Sequence, residues 1–473
     1  MTMANFVGRQ RELQLLAAEL DRVATAADQD RPGRCLLLRG RRRIGKSRLV
    51  ETFLARAGVP SLYFTAAGTK AAAELERLRY DAAQSTLPDR DLLTAATPAD
   101  WEAAFRLLAA ALPADRPSVV VIDELPYLMD PERAFEGVLQ RAWDRALERK
   151  PVLLVLVGSD LAMMEALNDY SRPFHQRGRE MVIGPLNPAN LADLLQLPAA
   201  DAIDAALVTG GLPLICTEWR PGQDLWAYLD EALTNPTSAL LVSGERSLAA
   251  EFPGPVQART VLDAIGAGER TFTNITRAAG GLGAAPLQRS LSTLLDKRVI
   301  AAELPLATKP SRDRRYRVAD PYLRFWLSFL APHLPEVERG RSDLALARIR
   351  RSWSSWRGRA VEPLVREALV RCLPDDVLPA PGTIGGYWTR TNDVEIDLVG
   401  ADRGPIAREL LFLGSIKWLE RSPFDRHDLV ALHQHRAAVT DQPVPLVAVS
   451  RSGISCTGLQ ASYGPEDLLS AWR

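Results

Sequence analysis

The chain has 473 residues, of which 47% are hydrophobic and 25% charged, and its 58 basic residues balance its 58 acidic ones. This length suggests about three domains. Because the net charge is zero, only local basic patches can indicate nucleic-acid binding. The four cysteines are scattered without a C-x-x-C pair, which fits a reduced protein and excludes a zinc knuckle of the usual spacing. Because there is no apolar signal region and no bilayer-length apolar run, we expect a cytoplasmic protein without a membrane span.

The first half of the chain alternates between helical and strand patterns. An amphipathic helix at 9–27 and a polar turn at 28–34 precede an apolar strand at 36–38. Further helices are predicted at 47–57, 71–84 and 98–112, and buried strands at 119–122 and 152–157. Strands alternating with helices imply a parallel sheet with crossover helices, and an Ala/Leu-rich helical stretch at 187–250 follows.

The segment after the first strand reads G-R-R-R-I-G-K-S, a complete phosphate-binding loop. Gly40 and Gly45 allow the tight turn, Lys46 reaches the β- and γ-phosphates, and the following helix adds its positive dipole end. The Ser47 hydroxyl is suited to Mg²⁺. Whether the three arginines contact phosphate, contact an acid or reflect only arginine-rich composition stays open. The predicted ATP-binding residues here are Gly40, Arg41, Arg42, Arg43, Ile44, Gly45, Lys46, Ser47 and Arg48.

The other half of a P-loop site should be an apolar strand that ends in an acid. Strand 119–122 runs into Asp123 and Glu124. Asp123 is predicted to hold Mg²⁺, directly or through water, and Glu124 to polarise the attacking water. The pair therefore predicts ATP hydrolysis as well as ATP binding.

Three polar residues downstream are further catalytic candidates. Ser159, at the end of strand 152–157, is placed to sense the γ-phosphate, although Ser159 and Asp160 also suit the N-cap of a helix at 161–167. Arg177 and Arg179 lie in a turn, and an arginine from the same chain or from a neighbouring subunit of a homo-oligomer stabilises transition-state charge in such sites. A solvated loop is the alternative for both arginines.

From about residue 256 the pattern changes to three helices, at 256–267, 274–279 and 285–298, and a ribbon of strands at 299–304 and 316–318. This is the layout of a winged helix. Its third helix and its basic loop are predicted to contact double-stranded DNA, and a protein partner is the alternative. An aromatic helix at 321–330, a charged connector at 340–352 and a third αβ unit from about 353 follow. The DNA-facing candidates are Gln288, Arg289, Ser292, Thr293 and Lys297, with Lys309, Arg312, Arg314 and Arg315 in the loop.

These motifs together resemble the prokaryotic archaeal-type ATPase family, a group of AAA+/STAND P-loop ATPases. The resemblance rests on F-V-G-R-x-x-E-L (6–13), the GRRRIGKS loop, VVVIDE (119–124), LVGSD (156–160), GGLP (210–213) and the stretch from Tyr316 to Trp326. It implies that Gly8, Arg9 and Pro213 lie near the nucleotide and that Gly211 to Pro213 report its state to the next domain. From the residues alone, GGLP predicts only a tight turn before an apolar helix.

The resemblance also implies a C-terminal domain like the PD-(D/E)XK nucleases, in which two acids and a lysine surround Mg²⁺. Glu362, at the start of a predicted helix, Asp397 and Lys417 match that motif. Ser415 stands where a second strand acid is expected, and a hydroxyl is a poor substitute for a carboxylate in a hard-cation site. Glu395 shares a strand face with Asp397 and could compensate. We therefore predict absent or weak nuclease activity and a retained scaffold that binds DNA or a partner.

The sequence thus predicts an α/β protein in four parts. These are a P-loop ATPase core with a parallel sheet (1–185), a helical lid (186–254), a winged helix (255–335) and a restriction-endonuclease-like αβ domain (336–473). The predicted function is an ATP-hydrolysing molecular switch with ATP and Mg²⁺ as cofactors. Hydrolysis is expected to reposition the winged helix and the C-terminal domain relative to a bound DNA or protein. The alternatives are an ATP-liganded DNA-binding regulator with little turnover and an ATPase-regulated, metal-dependent nuclease.

Overall fold

The protein is described by a computed structural model that covers residues 8–27, 29–129, 134–252 and 257–473. Phe6 and Val7 of the first motif, Asp28 of the predicted turn and Val256 of the predicted winged helix lie outside the described residues. The chain divides into two compact units, Met1–Pro185 and Leu186–Arg473. Among the described residues, none of the helices combines the length and the apolar character that crossing a bilayer requires.

The first unit is built on a five-stranded parallel sheet in the order β2-β3-β4-β1-β5. Because β4 lies between β1 and β3, the segments that follow these three strands meet at one edge of the sheet. The predicted parallel sheet is confirmed, and it contains two strands, β2 and β5, that the sequence reading missed. The strands are β1 (Arg34–Arg39), β2 (Ser61–Thr65), β3 (Ser118–Asp123), β4 (Val152–Gly158) and β5 (Arg179–Val182).

Eight helices of the described residues pack around this sheet, and a buried apolar cluster fills each face. The apolar runs of β3 and β4 are buried along their whole length because helices cover both sides. The helices are α1 (Gln10–Thr25), α2 (Lys46–Ala57), α3 (Ala71–Ala83), α4 (Asp91–Ala95), α5 (Trp101–Ala111), α6 (Pro126–Met129), α7 (Ala134–Arg145) and α8 (Leu161–Ala166).

The second unit opens with five helices, α9 (Pro188–Leu195), α10 (Ala199–Thr209), α11 (Pro213–Cys216), α12 (Leu225–Thr234) and α13 (Ala239–Glu251). Asn187, Asp224 and Ser238 cap the first turns of α9, α12 and α13 with their side-chain oxygens. The turn after α10 requires glycine, because a Cβ at Gly211 would lie 2.0 Å from the carbonyl oxygen of Leu186 and its φ is +66°.

Three helices and an antiparallel ribbon follow, which are the elements of the predicted winged helix. They are α14 (Gln257–Gly266), α15 (Phe272–Ala278), α16 (Ala284–Asp296), β6 (Ile300–Glu303) and β7 (Arg315–Val318). Leu287, Leu291 and Leu294 of α16 are buried, whereas the polar side chains predicted to face DNA are exposed.

Most of the segment predicted as a charged connector, residues 342–352, is the start of a helix of 31 residues. After α17 (Pro321–Phe325), a π-helical turn (Trp326–Leu330) and α18 (Leu334–Glu338), helix α19 spans Ser342–Cys372. Its N-terminal half is rich in arginine and serine, yet it buries Ile349, Trp353 and Arg357. Glu362, predicted to open a helix, therefore lies within one.

A mixed sheet in the order β12-β11-β10-β9-β8 completes the second unit. Strands β8 to β10 are antiparallel neighbours, whereas β11 and β12 run parallel to β10. Ile203 and Leu207 of α10 join the apolar core between α19 and this sheet, so the helical region predicted as a lid shares a core with the C-terminal domain. The elements are β8 (Thr383–Trp388), β9 (Glu395–Ala401), β10 (Leu410–Lys417), α20 (Arg426–Val439), β11 (Leu446–Ser450), β12 (Ala461–Tyr463) and α21 (Pro465–Ser470).

Candidate active site

The phosphate-binding loop connects β1 to α2 at the carboxyl edge of the first sheet. A Cβ at Gly40 would lie 2.5 Å from the carbonyl oxygen of Ile183, so only glycine fits beside β5. Arg43 and Gly45 both have positive φ, at +65° and +89°, as a tight loop requires. Helix α2 begins at Lys46, so the free backbone N–H groups of its first turn point toward the loop.

The Lys46 amine lies inside this loop. It donates to the carbonyl oxygens of Gly40 (2.8 Å) and Arg41 (3.0 Å), and only 6% of the residue is exposed. Burial lowers the pKa of Lys46, and the charges of Glu124 and Asp123 oppose that shift. The amine is thereby held at the loop, facing the acids of β3.

Asp123 is the centre of the polar cluster at the end of β3. Its Oδ2 accepts hydrogen bonds from Ser47 Oγ and from Tyr63 Oη, both at 2.7 Å, and its Oδ1 accepts from the backbone N–H of Glu124 at 2.9 Å. Burial and the neighbouring Asp123 raise the pKa of Tyr63, so its hydroxyl keeps the proton that it donates. The structure thus brings together the two predicted metal ligands, Ser47 and Asp123.

Tyr63 was missed by the sequence reading. It lies on β2, between the buried side chains of Leu62 and Phe64. The alternation in S-L-Y-F-T was the available signal, since a strand with two buried apolar residues turns the residue between them to the other face.

Of the two residues that the sequence offered as the N-cap of α8, the structure uses Asp160. Asp160 caps α8 by accepting from the N–H of Met163 at 3.0 Å. Ser159 Oγ donates to Glu124 Oε2 at 2.9 Å instead. Glu124 has a φ of +53°, a backbone conformation that costs energy for a non-glycine residue and is concentrated at functional sites. The predicted sensor and the predicted base are therefore in direct contact.

The arginines near the loop make different contacts. Arg9 is buried, and its guanidinium donates to the carbonyl oxygens of Ile44 (3.3 Å) and Gly184, which ties the start of α1 to the loop. Arg42 donates to Tyr127 Oη at 3.0 Å, and Arg48 is exposed and pairs with Glu51. Gly8, like Arg9, has positive φ.

Arg177 and Arg179 are engaged away from the loop. The Arg177 guanidinium forms two hydrogen bonds with the carboxylate of Asp144 on α7, at 2.7 and 2.9 Å. Asp144 also raises the pKa of Arg177 through these bonds. Arg179 pairs with Glu19 of α1. A role for Arg177 at the γ-phosphate would require it to leave Asp144.

Pro213 occupies the first turn of α11 in the second unit. Gly210, three residues earlier, ends α10 in the left-handed conformation. These positions fit the tight turn that the residues alone predict, and the contact of Pro213 with nucleotide stays a prediction.

The nuclease-like residues of the second unit all have partners within the protein. Asp397 Oδ2 accepts from Ser415 Oγ at 2.9 Å and from the N–H of Ile416 at 2.8 Å, and burial raises its pKa. Lys417 pairs with Asp428 of α20. Glu362 pairs with Arg366 one turn along α19. Among the described residues, no group of three or more His, Cys, Asp or Glu side chains is arranged to hold a metal ion.

One residue of the predicted basic loop is not available as a phosphate clamp. Arg315 is 8% exposed, pairs with Glu395, donates to Asn392 and stacks over the ring of Trp388 at 4.4 Å. Its place in the predicted clamp is therefore wrong, because internal partners from the C-terminal domain bury it. Lys309, Arg312 and Arg314 are exposed.

The chain is similar to several known proteins. It is 24% identical to the uncharacterized protein MJECL04 of Methanocaldococcus jannaschii over 429 residues, which is 87% of each chain. The Walker-type ATPase PABY2304 of Pyrococcus abyssi is 18% identical and matches 68% of this chain and 96% of its own, with a TM-score of 0.48. The ORC2 protein of Aeropyrum pernix, solved as ADPNP–ADP complexes, is 12% identical and matches 73% of this chain and 97% of its own, with a TM-score of 0.44.

Two families match parts of the sequence. Residues 5–160, which include the phosphate-binding loop and the acid pair, match the family described as AAA ATPase domain. Residues 326–429 match the family described as archaea bacterial proteins of unknown function. The chain therefore has an AAA ATPase domain in its first unit and is a P-loop ATPase.

Proposed function

We propose that the chain is an ATP-driven molecular switch in which Lys46 and the loop bind the phosphates, Ser47 and Asp123 hold Mg²⁺, and Glu124 activates the attacking water. The observation that carries this proposal is the convergence of Ser47, Tyr63 and Glu124 on the Asp123 carboxylate. Phosphoryl transfer depends mainly on positioning and charge stabilisation, and this cluster fixes acids beside the loop.

The donor set at Asp123 fits Mg²⁺. A serine hydroxyl and a carboxylate from two different elements lie 2.7 Å apart, and both are the hard oxygen ligands that Mg²⁺ accepts alongside phosphate oxygens and water. Bound Mg²⁺ supplies neutralisation of the charge on the phosphates. Tyr63 donates a hydrogen bond to the same oxygen of Asp123, which keeps that carboxylate in place.

Glu124 is the residue best placed to orient water. It follows Asp123 directly, at the edge of the sheet where the loop lies, and its carboxylate is bound by Ser159 from the central strand β4. Ser159 contacts a group that acts on water next to the γ-phosphate, so it is a positioning residue that can also respond to loss of that phosphate. Glu124 exchanges its bond to Ser159 for a bond to water when ATP is bound.

The second unit supports an association with double-stranded DNA. Exposed polar and basic side chains follow one face of α16, and the loop before β7 exposes Lys309, Arg312 and Arg314. Lys and Arg side chains in this arrangement contact phosphate and base edges. The order of α19, β8–β10, α20 and β11 supports the likeness to a nuclease fold, but the bonds of Asp397 and Lys417 favour a scaffold over a metal-dependent nuclease.

The test is the steady-state ATPase rate of the full chain with and without duplex DNA. Lys46→Ala should abolish turnover, and Glu124→Gln should lower it by about 100- to 10,000-fold, the usual contribution of a general base, while ATP binding is retained. Glu102→Gln, which changes an exposed glutamate on α5, is the matched control. Unchanged turnover in Glu124→Gln would contradict the enzyme reading and favour an ATP-liganded regulator. Stimulation by DNA supports coupling to the second unit, whereas its absence favours a protein partner.

A further inference from the structure

A small cavity within the second unit lies between the ribbon β6–β7 and α17 on one side and α19 and β9 on the other. Its volume is about 40 Å³. Four carboxylates line it: Glu303, Glu362, Glu395 and Asp397. Six arginines face them: Arg270, Arg315, Arg317, Arg324, Arg359 and Arg366. We call this site the arginine cavity, and its lining carries two more positive than negative charges.

The carboxylates of the arginine cavity already have partners on its walls. Glu395 pairs with Arg315, and Glu303 accepts from both Arg317 and Arg366. The remaining two carboxylates are Glu362, which pairs with Arg366 at 3.0 Å, and Asp397, which accepts from Ser415 and the backbone. Arg270 also lies 3.8 Å from Glu395, so within the described residues the lining carboxylates pair with four of the six arginines.

The two remaining arginines of the lining are Arg324 and Arg359. Among the described residues, neither forms an ion pair or a side-chain hydrogen bond. Arg324 is partly buried on α17, and burial lowers its pKa to about 10, with Glu362 opposing that shift. Arg359 is exposed at the rim on α19. A guanidinium removed from water without a counter-charge is costly, so this arrangement favours an anion.

The same geometry argues against a cation in this cavity. Arg366 lies among the acids that a nuclease would use for its metal: it pairs with Glu362 and Glu303, and its Nε donates to the carbonyl oxygen of Asp397. Ser415 donates a hydrogen bond to Asp397, where a second acid would share a metal ion. The guanidinium of Arg366 therefore supplies the positive charge internally.

We propose that the arginine cavity is an oxyanion site that takes one phosphoryl group, held by Arg324 from inside and Arg359 from the rim. Guanidinium groups bind phosphate oxygens in pairs, with fixed geometry. The volume holds roughly three water molecules, which suits a phosphoryl group and leaves no room for a base or a sugar. The source of the group is either the backbone of a nucleic acid or free phosphate. This proposal is independent of ATP hydrolysis in the first unit.

The first test is a calorimetric titration of the full chain with inorganic phosphate at low ionic strength. A non-hydrolysable ATP analogue and Mg²⁺ saturate the phosphate-binding loop of the first unit beforehand. One equivalent should bind. Arg324→Gln and Arg359→Gln should each weaken binding at least tenfold, because hydrogen bonds to charged groups are the strong ones. Arg351→Gln, an exposed arginine of α19 outside the cavity, should leave binding unchanged.

A second readout separates binding from damage to the fold. Phosphate should raise the thermal midpoint of the wild type and of Arg351→Gln, but not that of the two cavity variants, because a ligand stabilises only the state that binds it. Without phosphate, Arg359→Gln should melt no earlier than the wild type, since an exposed and unpaired charge is removed. The proposal would be overturned if phosphate showed no saturable binding, or if Arg351→Gln lost as much phosphate affinity as the two cavity variants.

The source of the phosphoryl group is decided by competition. A short duplex DNA that displaces phosphate from the wild type, and binds more weakly to Arg324→Gln, identifies a backbone phosphate. If DNA binds without displacing phosphate, free phosphate is the ligand and the DNA site lies elsewhere. Failure of DNA to bind at all contradicts the proposed association with DNA but leaves the phosphate titration as a separate test.

Discussion

The buried ion pair between Asp204 of α10 and Arg357 of α19 should be a main determinant of stability in the second unit. The two side chains are 4% and 1% exposed, and Asp204 Oδ2 lies 2.7 Å from the Arg357 guanidinium. Asp204 also accepts from Trp418 Nε1 at 3.0 Å and lies 3.3 Å from Arg451. Asp204→Asn keeps the shape but leaves buried guanidinium charge uncompensated, and breaking a buried pair in this way costs about 3–5 kcal/mol.

Two features of the site place the expected loss near the lower end of that range. Arg357 keeps a contact with Glu420, and Arg451 keeps its pair with Asp201 at 2.7 Å. We therefore expect a loss of about 3 kcal/mol, which lowers the thermal midpoint of the second unit by roughly 6–12 °C at about 2–4 °C per kcal/mol. Denaturant titration and calorimetry both measure this loss.

Asp201→Asn is the matched control, because Asp201 lies on the same helix and pairs with Arg451 but is 49% exposed. Its loss should stay below about 1 kcal/mol, as for exposed pairs. The double variant Asp204→Leu/Arg357→Met should recover most of the stability, since well-packed apolar residues often replace a buried pair without cost. The reasoning is refuted if Asp204→Asn and Asp201→Asn lose the same free energy of unfolding.

Two further predictions concern single groups. Tyr63→Phe removes one of the two side-chain donors to Asp123, so the Mg²⁺ concentration for half-maximal ATPase activity should shift several-fold while ATP affinity in the absence of metal stays the same; an unchanged Mg²⁺ dependence would show that Tyr63 only fills space. Burial raises the pKa of Glu362 to about 7, above its value of 4.5 in the unfolded chain. The folded state therefore favours the protonated side chain, and the free energy of unfolding that this contributes is fully present below pH 4.5 and is lost as the pH rises through 7. Glu362→Gln should therefore match the wild type at pH 4 and exceed it by up to about 3 kcal/mol at pH 8, and equal pH profiles in denaturant titrations would exclude a raised pKa.

The nucleotide site could be predicted from the sequence because its chemistry is local. The loop is eight consecutive residues, and the acids follow directly from a buried strand, so neither needed knowledge of the tertiary structure. Tyr63 could not be found in this way, since it reaches Asp123 across 60 positions of the chain and lies on a strand of only five residues. The contact of Ser159 with Glu124 spans 35 positions and is likewise set by the order of the strands.

The second unit was harder to predict because charged residues are buried there. An arginine in a sequence suggests solvent, but Arg315 and Arg357 are buried by partners that lie 80 and 153 positions away. For the same reason the arginine-rich segment at 340–352 suggested only a charged connector, although residues 342–352 begin a helix that buries Ile349 and Trp353. The serine at 415 was predicted to weaken a metal site, and its hydroxyl donates a hydrogen bond to Asp397.

The unbroken course of α19 has a mechanical consequence. Its 31 residues span roughly 46 Å at 1.5 Å per residue, with one end near α18 and the other beside the C-terminal sheet. If the helix tilted as one rigid lever, a tilt of about 5° at Ser342 would displace Cys372 by roughly 4 Å over that length. Arg359 and Arg366 lie on this lever, whereas Arg317 and Arg324 lie on the elements facing it. A small rotation of the helix would therefore widen or narrow the spacing of the guanidinium groups, and so set how tightly they grip a phosphoryl group.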